Sequence, residues 1–267
     1  MNSAPQEHSR EAFRHWVRGV LAHHGARAGG GTPREVYQTS TIGALLDGVY
    51  DGDVTIGELL RHGDFGLGTF NRLDGEMVVL DGVCYHLRAD GSVSPAGADE
   101  LTPFAAVTPF VTSTRFPITT PYDRQGLVRR IDEEIGSGNL IYAVRVTGRF
   151  DTVHTRTVME QQPPYPPLTE ATAGQQETVI RGAAGTLAGY RTPAYQQGIS
   201  VAGYHLHFID APRHRGGHAL DFLVTRGTVE ISTASELHLS LPRTSEFLGA
   251  SLSQADADSR IRRAEGS

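Results

Sequence analysis

The chain contains no lysine: all 24 of its basic side chains are arginine. That excludes a lysine Schiff base, whether with a carbonyl substrate or with pyridoxal phosphate. The one cysteine, Cys84, excludes an intrachain disulfide and any cysteine-rich metal site, and a single thiol fits a reducing compartment. No run approaches the ~18 apolar residues of a membrane span. There is neither a G-x-G-x-x-G nor a P-loop, so the glycines of Gly66–Gly68 read as structural and no nucleotide is implied. A net charge of −6 and a pI of about 6.0 give no general affinity for nucleic acid. With 39% hydrophobic and 20% charged residues, the 267-residue chain is globular and suits one large domain or two small ones.

What is present centres on Gly203–Asp221, GYHLHFIDAPRHRGGHALD. Residues 201–209 are apolar or aromatic at nearly every position, as in a buried strand. Pro212, Gly216 and Gly217 supply turn chemistry, and a second apolar run follows from His218. Side chains alternate along a strand, so His205 and His207 share a face. Across the hairpin, His218 comes up beside them. Three imidazoles on one patch of sheet match a catalytic zinc site, which keeps one position open. A strand histidine is otherwise a hydrogen-bonded core or surface residue. His214, between Arg213 and Arg215, reads as solvent-facing.

Phe13, Trp16, Val17, Val20 and Leu21 fall at helical spacing, so residues 1–34 read as a peripheral helix or arm. Glu11, Arg14 and Arg18 break up any secretory core, and a cytoplasmic location is expected. Residues 36–49 start as a strand and turn helical, with Ser40 or Thr41 as cap, and residues 55–62 form a second short helix. Residues 66–93 are a β-meander with Asp-Gly turns at 74–75, 81–82 and 90–91. Glu76 opens an apolar strand, where an edge charge against aggregation is the default reading. Strands are expected at 104–111 and 112–116, a helix at 121–135, and two consecutive strands at 140–147 and 149–158. Arg156 lies on a sheet face, as a surface ion-pair residue or as a clamp on a carboxylate. QQPPYPPL (161–168) is an extended connector between two halves. Further strands are expected at 175–180, 185–190 and 229–239, and polar helices at 245–248 and 256–263.

From about residue 36 onward the chain resembles the bacterial α-acetolactate decarboxylase family. The resemblance is carried by GTFNRLDGEMVVLDG (68–82), TRTV (155–158), QQPPYPPL, GYRTPAYQQGISVAGYHLHFI (189–209), GGHALDF (216–222) and RRAE (262–265). It implies an α+β fold, with a mixed β-sheet N-terminal domain (35–162) and a smaller β-rich C-terminal domain (163–267), the metal site lying between them. It implies a homodimer joined through its sheets and zinc held by His205, His207 and His218. Glu265, from a tail that returns to the site, is implied as a further ligand. Glu76 and Arg156 complete the catalytic set, with Thr69 near the substrate. The implied activity is metal-dependent decarboxylation of 2-acetolactate, a β-keto acid, to (R)-acetoin and CO2 in acetoin and butanediol biosynthesis. No nucleic-acid or membrane partner is expected.

Two other readings use the same hairpin. A cupin-type oxygenase or isomerase also carries H-x-H on a strand, but a glutamate usually follows shortly after, and here Asp210 does. A small domain found beside AT-hook segments has a similar HLH…GGH hairpin and would make the chain a binding module. Against that, the chain has no basic AT-hook and carries Glu76 and Arg156.

Overall fold

The computed structural model describes residues 34–252 and 257–265. The helix expected within residues 13–21 lies outside these. In chain order the strands are β1 (Glu35–Thr39), β2 (Val54–Thr55), β3 (Phe65–Thr69), β4 (Glu76–Leu80), β5 (Val83–Leu87), β6 (Val93–Pro95), β7 (Leu101–Thr102) and β8 (Phe104–Thr108). There follow β9 (Thr114–Ile118), β10 (Tyr122–Asp123), β11 (Ile141–Thr157), β12 (Gln176–Thr192), β13 (Gly203–Asp210), β14 (Gly216–Ala234) and β15 (Glu236–Ser240). Short helices punctuate them, and their caps follow from sequence. Thr41 Oγ1 accepts the Ala44 N–H at the head of Ile42–Leu46, and Asp123 caps Arg124–Ile135, which ends at the left-handed Gly136. The Asp-Gly meander forms as expected, giving β3 to β6.

Two sheets organise the fold, which is mixed α+β and dominated by strands. One is seven-stranded in the order β15-β1-β8-β3-β4-β5-β6. The other runs β10-β14-β11-β12-β13, with β9 also on β14. β13 pairs with β14 as well, so β14, β11, β12 and β13 close into a ring. The sheets pack through Val36, Phe65, Leu67, Val78 and Leu80 of the first and Ile141, Ala188, Tyr190 and Ile209 of the second. The outer face of the first sheet is covered by Ile56 and Leu59, which pack on Met77, Val79 and Cys84. The outer face of the second receives Leu127, Ile131 and Ile135. The alternation of β4 follows: Met77 and Val79 face outward to the helix, Val78 and Leu80 inward to the second sheet.

Several elements differ from expectation, among them the strand expected at 229–239, which is divided between the end of β14 and β15 of the other sheet. The strands expected on either side of Gly148 are one 17-residue strand, β11, which bends through register shifts after Arg149, Phe150 and His154 instead of turning. The segments at 175–180 and 185–190 are likewise one strand, β12. Sheet membership crosses residue 162: β9, β10 and β11 belong to the second sheet and β15 to the first, so the two units expected from sequence exchange strands. β15 lies beside β1 as its parallel neighbour, so β15 and not β1 is the edge strand there.

Gly216 and Gly217 open β14 where it meets β13. A Cβ on Gly216 would lie 2.3 Å from Leu87 Cδ2 and from the Phe208 carbonyl oxygen. Gly217 has φ +151 and would place a Cβ 2.6 Å from the Arg156 carbonyl oxygen. The pair is needed for close approach of three strands and not only for a turn. Gly216→Val should therefore cost about 1–3 kcal/mol of stability, as overpacking does. Urea unfolding checks this as a lowered midpoint with an unchanged slope; a midpoint equal to the parent's would show that these strands separate freely.

Candidate metal centre

The site grows out of strand register. His218 on β14 stands opposite His207 on β13 and, on its other side, opposite Arg156 on β11. Directly paired residues share a face, so the three side chains lie in one row, and His205 joins two residues along β13. The imidazole centroids are 5.0–5.3 Å apart, and one ligand atom from each ring lies within 4.8 Å of the others. β4 of the first sheet faces them, with Glu76 Oε2 3.5 Å from His207 Nε2. Glu76 is inward on a central strand and buried, on the same parity as Val78 and Leu80, so the edge-charge reading does not hold. Thr69, next to Glu76 in the β3–β4 pairing, lines the same cavity, and its hydroxyl donates to the Gly75 carbonyl at 2.7 Å.

The last side is closed by the helix Ala257–Glu265. Ile261 and Ala264 are buried against Ile42, Leu45, Leu168 and Val201, and Arg260 donates to the Leu46 carbonyl at 2.6 Å. That docking carries Glu265 inside. Its Oε2 is 3.3 Å from Arg156 Nη2, 3.5 Å from His205 Nε2 and 3.7 Å from His218 Nδ1. All six residues named for the site on sequence grounds, with Thr69 as a seventh, line one cavity. His214 is exposed. Asp210 is held in the turn, accepting from the backbone of His214 and Arg215 and from the Arg215 side chain. It is not near the triad's ligand atoms in the way a cupin glutamate would be.

Two partners were not legible in sequence. Gln175 accepts from Arg156 Nη1 at 3.1 Å, and the Met77 carbonyl lies 2.8 Å from His207 Nδ1. A backbone carbonyl leaves no compositional signal, and Gln175 is found only once the β11–β12 register is known.

These bonds fit the triad to a metal ion. The Met77 carbonyl takes the Nδ1 proton of His207, and the Glu265 carbonyl, 3.1 Å away, takes the Nε2 proton of His218. That leaves a lone pair on His207 Nε2 and on His218 Nδ1, which is how outer partners prepare histidine ligands. Burial keeps the rings neutral: it pushes His205 and His207 down to about 3, and His218 well below its usual value. Arg156 adds to the effect on His205 and His218, and His205 to that on His207. Burial acts oppositely on the acids. It raises Glu76 to about 8 and also raises Glu265, in both cases against the pull of Arg156.

Neutral imidazoles with converging lone pairs, two carboxyls held towards their protonated forms and one guanidinium define an enzyme site able to hold a metal ion, not a docking surface. Residues 36–254 match the family profile described as alpha-acetolactate decarboxylase, and the chain belongs to that family. It is 44% identical over 256 residues to the alpha-acetolactate decarboxylase of Methylococcus capsulatus, covering 96% of each chain. Against that of Raoultella terrigena it is 44% identical over 265 residues, covering 99% of this chain and 100% of the relative. The crystal structure of the Bacillus subtilis strain 168 enzyme superposes with a TM-score of 0.86 at 43% identity, over 87% of this chain and 100% of that one.

The shift of Glu76 has a stability consequence with a definite sign. Its pKa is higher folded, about 8, than the unfolded reference of 4.5. Its contribution is then fully present below pH 4.5 and is lost as pH rises towards 8. In metal-free protein, the thermal midpoint of the parent should fall relative to that of Glu76→Gln between about pH 5 and 8. Parallel profiles for the two proteins would show that Glu76 titrates normally.

Proposed function

We propose that this enzyme decarboxylates 2-acetolactate to (R)-acetoin and CO2 with zinc held by His205, His207 and His218, as a step in acetoin and butanediol biosynthesis. The observation that carries the reading is the convergence of those three neutral imidazoles with Glu76, Arg156 and Glu265 in one cavity. The family relationship supports the substrate. A zinc ion bound there supplies Lewis acidity towards the adjacent hydroxyl and keto oxygens of the substrate and offsets the charge left when CO2 departs.

The protein's own groups account for the rest. Arg156 is buried and its Nε has no hydrogen-bond partner, while Nη1 and Nη2 rest on Gln175 and Glu265. A buried, unsatisfied cationic donor suits a substrate carboxylate or the oxyanion that replaces it. The Thr69 hydroxyl spends its proton on Gly75, so its oxygen faces the cavity as an acceptor for the substrate hydroxyl. Loss of CO2 leaves an enediolate that needs one proton on one face. Glu76, beside His207, and Glu265, beside His205 and His218, are both raised by burial and are the candidate donors. Glu265 also stands close enough to two imidazoles to act as a fourth ligand. The reading includes a cytoplasmic homodimer. Among the described residues, no helix is long and apolar enough to cross a membrane.

The test is release of acetoin and CO2 from racemic acetolactate, with and without chelator, beside the metal content of the purified protein. About one zinc per chain is expected, and His207→Ala should lose metal and activity together. Full zinc retention in that variant would remove His207 from the ligand set, and iron with oxygen-dependent turnover would favour the cupin-like reading.

Arg156→Lys should be nearly as inactive as Arg156→Ala, because lysine keeps the charge but loses the planar fork that holds two oxygens. Steady-state kinetics on the two variants decide it. Parent-like turnover with lysine would reduce Arg156 to a charge in the wall.

A further inference from the structure

Arg156 enters the site from β11, and the residue directly opposite it on β12 is Glu177. Opposite charges in a direct pair commonly meet as a fork of two hydrogen bonds between guanidinium and carboxylate. Here they do not. Among the described residues, the one ion pair of Arg156 is with Glu265, and the amide of Gln175 stands between Arg156 and Glu177. Arg156 Nη1 donates to Gln175 Oε1 at 3.1 Å, and Gln175 Nε2 donates to Glu177 Oε1 at 2.9 Å. The second oxygen of Glu177 lies 2.9 Å from His154 Nε2. The four side chains share a face, since Arg156 and Glu177 are a direct pair and His154 and Gln175 each lie two residues away.

The row runs from the interior to solvent. The Arg156 side chain is 4% exposed, whereas His154 and Glu177 are 37% and 48% exposed. Gln175 between them is half-buried, and its backbone is held, its N–H donating to the Thr172 carbonyl at 3.2 Å. Neighbours decide which way its amide points, because the oxygen and the NH2 are nearly the same shape. Arg156 has only donors and takes the oxygen. The Glu177 carboxylate only accepts and takes the NH2. Turned round, the amide would set donor against donor and acceptor against acceptor. What the amide leaves free matters too. A carboxylate at this place would engage two guanidinium donors and offset the charge. The neutral amide engages one. Nη2 rests on Glu265, and the buried Nε has no partner.

We propose that Gln175, its amide turned by Glu177, aims Arg156 at the substrate: it is a neutral spacer that holds Nη1 and leaves Nε for the carboxylate of a 2-hydroxy-3-keto acid. Gln175 is thus a positioning residue acting through Arg156, with His154 steadying Glu177 from the surface. This rests on the reading of Arg156 as the group that receives the substrate carboxylate, and deepens it. What residue 177 supplies is an oxygen that orients the amide, not its charge.

The experiment compares zinc-loaded, full-length parent with Gln175→Met, Glu177→Met and Glu177→Gln. Methionine keeps the side-chain length and removes the hydrogen-bonding head, and glutamine at 177 keeps an oxygen without the charge. Rotation of the Arg156 Nη1 group, followed through its side-chain ¹⁵N signals, reads how firmly the guanidinium is held in the absence of substrate. Steady-state kinetics give KM for acetolactate and the inhibition constant of acetoin, which lacks the carboxylate. Gln175→Met should speed Nη1 rotation, raise KM and lower kcat/KM roughly 10–10²-fold, the scale of a displaced binding group. Inhibition by acetoin should stay at the parent's value. Glu177→Met should move in the same direction by less, and Glu177→Gln should match the parent. Parent-like rotation and KM in Gln175→Met would overturn the proposal. So would lost zinc or equally weakened acetoin binding, which would make Gln175 a part of the wall only. If Glu177→Gln behaved as Glu177→Met, the charge and not the amide orientation would matter, and the role given to Glu177 would fall. If the parent does not turn over acetolactate, the functional reading fails, and Nη1 rotation still decides whether Gln175 holds Arg156.

Discussion

His218 is paired on both sides, with His207 of β13 and with Arg156 of β11, and the site depends on that double register. Side-chain direction has period two, so a slip of one residue on either side would turn an imidazole or the guanidinium out of the cavity. Three backbones must therefore meet closely at the mouth of β14. Gly216 and Gly217 make that possible because neither carries a Cβ into Leu87, the Phe208 carbonyl or the Arg156 carbonyl. The register shift after His154 lies just before Arg156, a common use of a bulge beside a site.

Desolvation then sets the chemistry. One cause, burial, makes the bases weaker and the acids weaker, so imidazoles stay neutral and carboxyls hold their protons in the same cavity. Arg156 is the counterweight. The field of its guanidinium acts on both glutamates and all three histidines. It lowers the acids towards ionisation and keeps protons off the imidazoles. The histidines are thereby ready as ligands, while the carboxyls remain within reach of proton transfer at neutral pH.

The local patterns were legible in sequence and the long-range ones were not. Alternation put His205 and His207 on one face, and Asp-Gly placed the meander turns, because both signals act within a few residues. Glu76 read as an edge charge because a strand's own sequence does not say which neighbours it takes; β3 and β5 flank it. Gly148 read as a break because a glycine between apolar runs usually is one. In β11 it faces Gly227, and a Cβ there would lie 2.2 Å from the Arg226 carbonyl oxygen, so the glycine serves close approach within a continuous strand. The roles of Glu76, Arg156 and Glu265 entered through family resemblance, which no spacing rule supplied.

The tail shows why composition misleads at a chain end. A nine-residue helix is marginal alone, and Arg262 and Arg263 give it a polar look. Ile261 and Ala264, three residues apart on one face, are buried at 0% and 2%. Bonds into the site and its rim hold the helix together with these contacts: Arg260 on the Leu46 carbonyl, Glu265 on Arg156, and the Glu265 carbonyl on His218. Each of the last two also completes a residue of the cavity. Docking of the tail and assembly of the site are consequently one equilibrium, and whatever strengthens the carboxylate's hold at the imidazoles strengthens the helix that carries it.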